Sequence, residues 1–334
     1  MISIRRLIAL AVLGFVIAVA GHGEAEQQKP TAKPAPKSAT PSAPKPVPSA
    51  KASVDLAYGA YQRGFYLTAF AEAIRAVEED KDSKAMVLLG ELYLNGLAVK
   101  PDEKLAADWY RRAVERGERE AMFELGVLYQ QGRGVKKDRD EAARLFTAAA
   151  ERGSPPAAYN LALLYVEGQV FAQDFAAAAR WLRVAAERDL GDAQHALALL
   201  YKEGNGVPKD TAEAVRWLAR ASALGHVPAM TEYAIALFNG EGAQKDEARA
   251  AALFRRAALN GGTVAQNRLA RILAAGRGQP KNPVEACAWH HLAREQGLSD
   301  PSLDIGCNSL SPDDQAAAER LMRSWEAGAA PPRT

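Results

Sequence analysis

The chain has 334 residues, 25% of them charged and 48% apolar, which is enough apolar material for one long array or two ordinary domains and too much for global disorder. Its formal net charge of +2 is too balanced to call for a nucleic-acid partner. No basic stripe interleaved with aromatics occurs outside a short N-terminal stretch, so no nucleic acid is expected.

The first element reads as an export signal over residues 1–20. Arg5 and Arg6 supply a basic start, and LIALAVLGFVIAVA is an apolar run of 14 residues ending in small residues, with cleavage after Ala20 or alternatively after Ala25. As a helix that run is about 21 Å long against a hydrocarbon core of about 30 Å. The expected location is therefore the periplasm. An uncleaved signal anchoring the chain in the inner membrane, facing the periplasm, is the alternative and the only route to membrane contact. Residues 21–53 form a linker whose segment 26–53 holds seven prolines and five lysines with little to bury. In polyproline II it reaches on the order of 80 Å, as a passive spacer or as a cationic tether on an anionic surface.

A divergent helical hairpin is predicted over 54–84, broken near Gly64, with Phe65, Tyr66 and Phe70 packing beneath the first of the blocks that begin at Ala85. From Ala85 the chain falls into six gapless blocks of 36 residues, covering 85–300. Position 1 is alanine in every block (Ala85, Ala121, Ala157, Ala193, Ala229, Ala265), and position 12 is glycine (Gly96, Gly132, Gly168, Gly204, Gly240, Gly276). Apolar or small residues at positions 1, 5, 6, 8 and 9 have helical spacing and define helix A, which ends at that glycine. Gly or Ala at position 6 lets a neighbouring backbone come close, and a second glycine at position 14 in four blocks gives a tight, flexible turn. Helix B opens on Asp102, Asp138, Asp174, Asp210, Asp246 or Asn282 as N-caps. Glu141, Glu213 and Glu285 stand three residues after their caps, as capping boxes do. Alanine at position 22 and Trp109, Trp181, Trp217 and Trp289 at position 25 read as core. A final helix opens at Ser311-Pro312-Asp313-Asp314 and closes at Gly328, with Ala318, Leu321, Met322 and Trp325 on one face. It completes a C-terminal cap over 301–328, with a tail at 329–334.

Stretches such as AMFELGVLYQQGRGVKKDRDEAARLFTAAAERG resemble the Sel-one-like repeat, a relative of the tetratricopeptide repeat, and the resemblance covers 85–300. It implies an all-α, right-handed α-solenoid of helix-turn-helix repeats. It also implies an adaptor in assembly or signalling, often in secretory or periplasmic compartments, with a protein or peptide partner. Departures are Ala98 and Val170 for the second turn glycine, Asp189 for the glycine closing helix B, and Leu237 for a usual tyrosine. By analogy with tetratricopeptide arrays, positions 3, 7 and 10 of helix A face a concave groove. The expected groove residues are Phe123, Val127, Tyr159, Leu163, Val166, His195, Leu199, Lys202, Ile235, Phe238, Asn267 and Arg271. In the alternative, tight curvature buries positions 3 and 7.

No catalytic residues or cofactors are expected. Some members of the resembled family are associated with β-lactam binding, but the one Ser-x-x-Lys pattern, Ser42 to Lys45, lies in the linker, where no scaffold can align a nucleophile and base. A hydrolase or a purely structural spacer are the other readings. Export and an even count of two favour a disulfide between Cys287 and Cys307. Free thiols are one alternative, and a zinc site joining both to His291 is another. His290 occupies an aromatic core slot, and His291 aligns with Arg111, Arg183 and Arg255 in a slot expected to be exposed.

Overall fold

The computed structural model describes residues 50–326. The signal over 1–20, most of the 21–53 linker and the 329–334 tail lie outside the described residues. Among the described residues there are sixteen helices and no strand. They divide into two compact units between Ala142 and Ala143.

The first unit holds α1 (Ala50–Gln62), α2 (Tyr66–Asp80), α3 (Ser83–Asn95), α4 (Glu103–Val114), α5 (Arg119–Gln131) and the first turn of α6 (Arg139–Glu151). Consecutive helices pack pairwise, α1 on α2, α2 on α3, α3 on α4 and α4 on α5. The second unit holds the rest of α6, then α7 (Pro155–Glu167), α8 (Phe175–Ala186), α9 (Gly191–Glu203), α10 (Thr211–Ala223), α11 (Val227–Asn239), α12 (Glu247–Leu259), α13 (Thr263–Ala275) and α14 (Pro283–Glu295). Two further helices close it, α15 (Pro301–Asn308) and α16 (Pro312–Glu326). From α7 to α14 each helix packs on the next, and α14 packs on both α15 and α16. Helices α3, α5, α7, α9, α11 and α13 are thus the A helices, and α4, α6, α8, α10, α12 and α14 the B helices.

Each A helix ends at the position-12 glycine, and all six take φ between 66° and 79°, where a Cβ is strained. Each B helix opens as the sequence implies, with the cap side chain accepting a backbone N–H at 2.8–3.1 Å. The reciprocal half of the capping box is not made. The cap's own N–H already donates to the position-9 carbonyl of the preceding A helix, as in Asp102 to Tyr93, Asp210 to Tyr201 and Asn282 to Leu273. That bond ties A to B; Glu213 accepts from Arg216 Nε at 2.6 Å, and Glu285 pairs with Arg255 while its other oxygen accepts from Asn282 Nδ2 at 3.1 Å.

The cores form where the repeat positions place small residues opposite large ones. Position-22 alanines are all 2% exposed or less, and position 26 is the most deeply buried large slot, with Tyr110, Phe146, Phe254 and His290 inside. Gly90 is small because of that slot: a Cβ there would meet the Tyr110 ring at 2.5 Å, so the close neighbour at position 6 is a ring rather than a backbone. Trp217 and Trp289 are buried, whereas Trp109 and Trp181 are half-buried. Arg112 lies over the Trp109 ring at 4.6 Å.

The second turn glycine is packed rather than flexible. A Cβ on Gly134 would lie 2.0 Å from the carbonyl oxygen of Glu103, and one on Gly206 would lie 2.2 Å from that of Phe175. Those carbonyls belong to the first turn of the preceding B helix. Ala98 adopts the same left-handed conformation, φ 68°, in the first block.

At the N-terminal end α1 starts at Ala50, four residues before the hairpin's expected start, and the break after Gln62 holds Gly64 at φ 77°. Phe65 does not pack beneath the first block, because it sits in that break and is 59% exposed. Tyr66 meets Tyr61 edge-on, and Phe70 meets Tyr93. At the C-terminal end Ser311 Oγ accepts the Asp314 N–H at 3.2 Å and opens α16. Cys287 on α14 and Cys307 on α15 form a disulfide, which packs against Ala318 of α16. Trp325 stacks on Trp289 with centroids 4.5 Å apart. His290 is fully buried and bonds through Nε2 to Asp304 Oδ1 at 2.8 Å. The slot alignment fails for its neighbours: His291 is half-buried, and Arg255 is buried because Glu285 of the next B helix meets it.

Candidate partner-binding site

The helix-A face was expected to be an open groove at positions 3, 7 and 10, and most of those side chains are instead buried. Phe123 in the first unit and Tyr159, Leu163, Val166, His195, Leu199 and Asn267 in the second are all under 10% exposed. Their neighbours explain it. His195 Nε2 lies 3.0 Å from Glu232 Oε1 on the following A helix, and its ring is 4.9 Å from that of His226. Asn267 Nδ2 donates to Asp300 Oδ2 at 3.0 Å. These residues therefore build the wall of the face and are not its contact surface. Val127, Ile235 and Phe238 are half-buried, and Lys202 and Arg271 are exposed.

Two ionic groups flank this wall in the second unit. Glu232 also receives Lys202 Nζ at 3.1 Å; burial pushes its carboxyl up, but the bonds from His195 and Lys202 outweigh that and hold it below the usual range. His226 accepts the Ala229 N–H through Nδ1, so Nε2 carries the proton and faces Asp192 Oδ1 at 3.3 Å. That bond from His226 holds the Asp192 carboxyl low.

Ile235, Phe238 and Arg271, but not Val127 or Lys202, meet at a cavity of about 500 Å³ in the second unit. Helix α11 contributes Ile235, Phe238 and Asn239, spaced to share one face; α13 contributes Arg268, Arg271 and Ala275 in the same way; and α15 contributes Ser302 and Leu303. Arg271 Nε lies 2.6 Å from Asp300 Oδ2, and Arg277 Nη2 lies 2.5 Å from Glu247 Oε1 while its guanidinium stands 4.1 Å over the Phe238 ring. Burial pushes Asp300 up, but Asn267 and Arg271 outweigh it and keep its carboxyl low. The arrangement offers guanidinium groups above an apolar floor, a combination suited to recognition.

The sequence reading missed Arg268 at position 4, a position it did not assign to the face. The period does not single it out: position 4 reads Leu88, Glu124, Asn160, Ala196, Glu232 and Arg268, buried in the first block and exposed in the last, and position 3, buried in most blocks, varies as much. Among the described residues no group of three or more His, Cys, Asp or Glu side chains is placed to hold a metal ion. The disulfide removes both thiols from the zinc alternative.

The Sel1 repeat profile matches six consecutive segments, 83–118, 119–154, 155–190, 191–226, 227–262 and 263–298. The chain belongs to the Sel1 repeat family. Each Sel1 repeat begins two residues before the blocks counted from Ala85 and encloses one A and B helix pair, as 263–298 encloses α13 and α14. Among solved structures, a Sel1 repeat protein from Oxalobacter formigenes is similar at TM-score 0.64 and 29% identity, over 74% of this chain and 99% of that one. A second is c5321, a protective antigen present in uropathogenic Escherichia coli strains displaying an SLR fold, at TM-score 0.53 and 26% identity, over 84% of this chain and 69% of that one. No curated protein matches the chain. The fold is accordingly an all-α solenoid of Sel1 repeats, a class whose members mediate protein–protein interaction.

Proposed function

We propose that this chain is a non-enzymatic scaffold or adaptor of the bacterial cell envelope, holding a peptide or helix of a partner protein against the helix-A face of the second unit. The observation that carries this reading is the cavity between α11, α13 and α15, where half-buried Phe238 and Ile235 stand open beside charged side chains. An anchor of this kind, an apolar pocket with a few directional polar groups, is what peptide recognition uses. Export to the periplasm is supported by the basic and then apolar start of the chain and by the disulfide, which persists in oxidising compartments. No helix of the described residues is long and apolar enough to cross a membrane.

The test is a photocrosslinking side chain placed at Asn239 in cells, with the envelope fraction resolved afterwards. A discrete crosslinked protein is expected, lost on Phe238→Ala while the helical circular-dichroism signal at the assay temperature is unchanged. Crosslinks that are absent, or that ignore Phe238→Ala, would remove the scaffold reading at this face. Fractionation with and without residues 26–53 separates a free periplasmic adaptor from a tethered one.

A further inference from the structure

The guanidinium groups at the cavity are unequally available. Arg271 is committed to Asp300, and Arg277 is committed to Glu247 and to the Phe238 ring. Arg268 is exposed and has no hydrogen-bond or ion-pair partner among the described residues. It stands on α13 three residues before Arg271, on the same side of the helix, so its side chain reaches the rim of the cavity. No aspartate or glutamate lines the cavity, so one positive charge is left without a counter-charge at its mouth.

That inequality sets the chemistry of an occupant. A guanidinium stays charged across the physiological range and offers its donors as a planar fork, which a carboxylate meets with two parallel bonds. One uncommitted charge matches a monoanion. A phosphate dianion would bring a second negative charge, with Arg271 and Arg277 already neutralised. The floor below the rim, Ile235, Phe238 and Leu303, is apolar, and a cavity of about 500 Å³ exceeds what a bare carboxylate fills. The carboxylate must therefore arrive with a bulky apolar group beside it.

We infer that the cavity takes a peptide segment of the partner in which an aspartate or glutamate side chain stands next to a large apolar residue, with Arg268 receiving the carboxylate. This rests on the scaffold reading above and names the partner's chemistry. Arg268 supplies selectivity by charge, and Phe238 with Ile235 supplies the contact area. An acidic segment lacking the apolar neighbour leaves the floor wet, and an apolar segment lacking the acid leaves Arg268 facing nothing it did not already have in water.

The test uses the full chain and an array of synthetic peptides with amidated C-termini, so that only side-chain carboxylates are offered. Selected peptides are titrated by fluorescence polarisation against wild type, Arg268→Gln, Arg268→Lys and Arg268→Glu. The expected result is a shared motif of an acid beside an aromatic or large aliphatic residue. Affinity should fall about tenfold or more on Arg268→Glu, with partial retention on Arg268→Lys. A peptide with glutamine in place of the acid should be weak on wild type and lose nothing further on Arg268→Gln. Selected peptides without an acid, an Arg268→Glu protein that binds as wild type does, or tighter binding of a phosphotyrosine peptide would each overturn the inference. If the array yields no binder while the Asn239 crosslink still depends on Phe238, the inference falls and the scaffold reading stands.

Discussion

Glu124 on α5 is a carboxyl whose surroundings oppose its ionisation. Burial pushes it up to about 7, and the charge of Glu91 on α3 adds to the shift; Glu91 itself accepts the Tyr61 hydroxyl. In the unfolded chain it titrates near 4.5, so between about 4.5 and 7 the folded state binds more protons than the unfolded one. Stability from this group is complete below the lower value and is lost as pH rises through the upper. Glu124→Gln is therefore expected to raise the melting temperature at pH 8 and to leave it nearly unchanged at pH 4, as a thermal scan at both values would show. Arg268 and Glu124 share position 4, and neither was legible from the period. The repeat reveals what is constant between blocks and passes over a slot that runs from buried Leu88 to exposed Arg268. The burial of His195 and Asn267 was likewise hidden, because it depends on Glu232 and Asp300, which stand 37 and 33 residues further along the chain.

At the scale of the element, the turn between A and B is governed by two glycines with different duties. Gly204 is needed for its left-handed φ of 79°, and a Cβ there would come no closer than 3.1 Å to its neighbour Lys209. Gly206 needs its left-handed φ and must also clear the backbone at Phe175, while Ala98 shows that alanine can take such a φ when it must. Gly204→Ala is expected to cost about 1 to 2 kcal/mol. Gly206→Ala should cost roughly 2 to 4 kcal/mol, because strain and a backbone clash combine. Urea unfolding of the two single variants measures the difference, and equal costs would mean that φ alone decides. The glycines themselves were plain in the sequence, and so were the six caps. What the sequence could not reveal is that the cap's N–H belongs to helix A, since that bond joins residues nine apart across a turn whose path no periodicity encodes.

For the whole molecule, the repeat register was the most legible feature, because six uninterrupted copies make chance agreement negligible and fix both helices of every pair. The ends were less legible, since each lacks the neighbour that makes an internal block regular. Helix α15 falls inside the cap expected over 301–328, but only the final helix of that cap was read as one. The disulfide holds that end: its partners are 20 residues apart, and closing a loop of that length in the unfolded chain contributes about 3 kcal/mol. Reduction, or Cys287→Ser with Cys307→Ser, should lower unfolding stability by about that amount in a denaturant titration. A smaller shift would mean that Leu303, the His290–Asp304 bond and the Asn267–Asp300 bond hold α15 without it.

One wall of the cavity, Ser302 and Leu303, lies beyond the last Sel1 repeat, so no internal pair of helices can reproduce the site. Recognition at this face therefore belongs to the junction between the last repeat and α15, and not to the repeat itself. Blocks of 36 residues gained or lost upstream should leave the mouth and the charge at its rim unchanged.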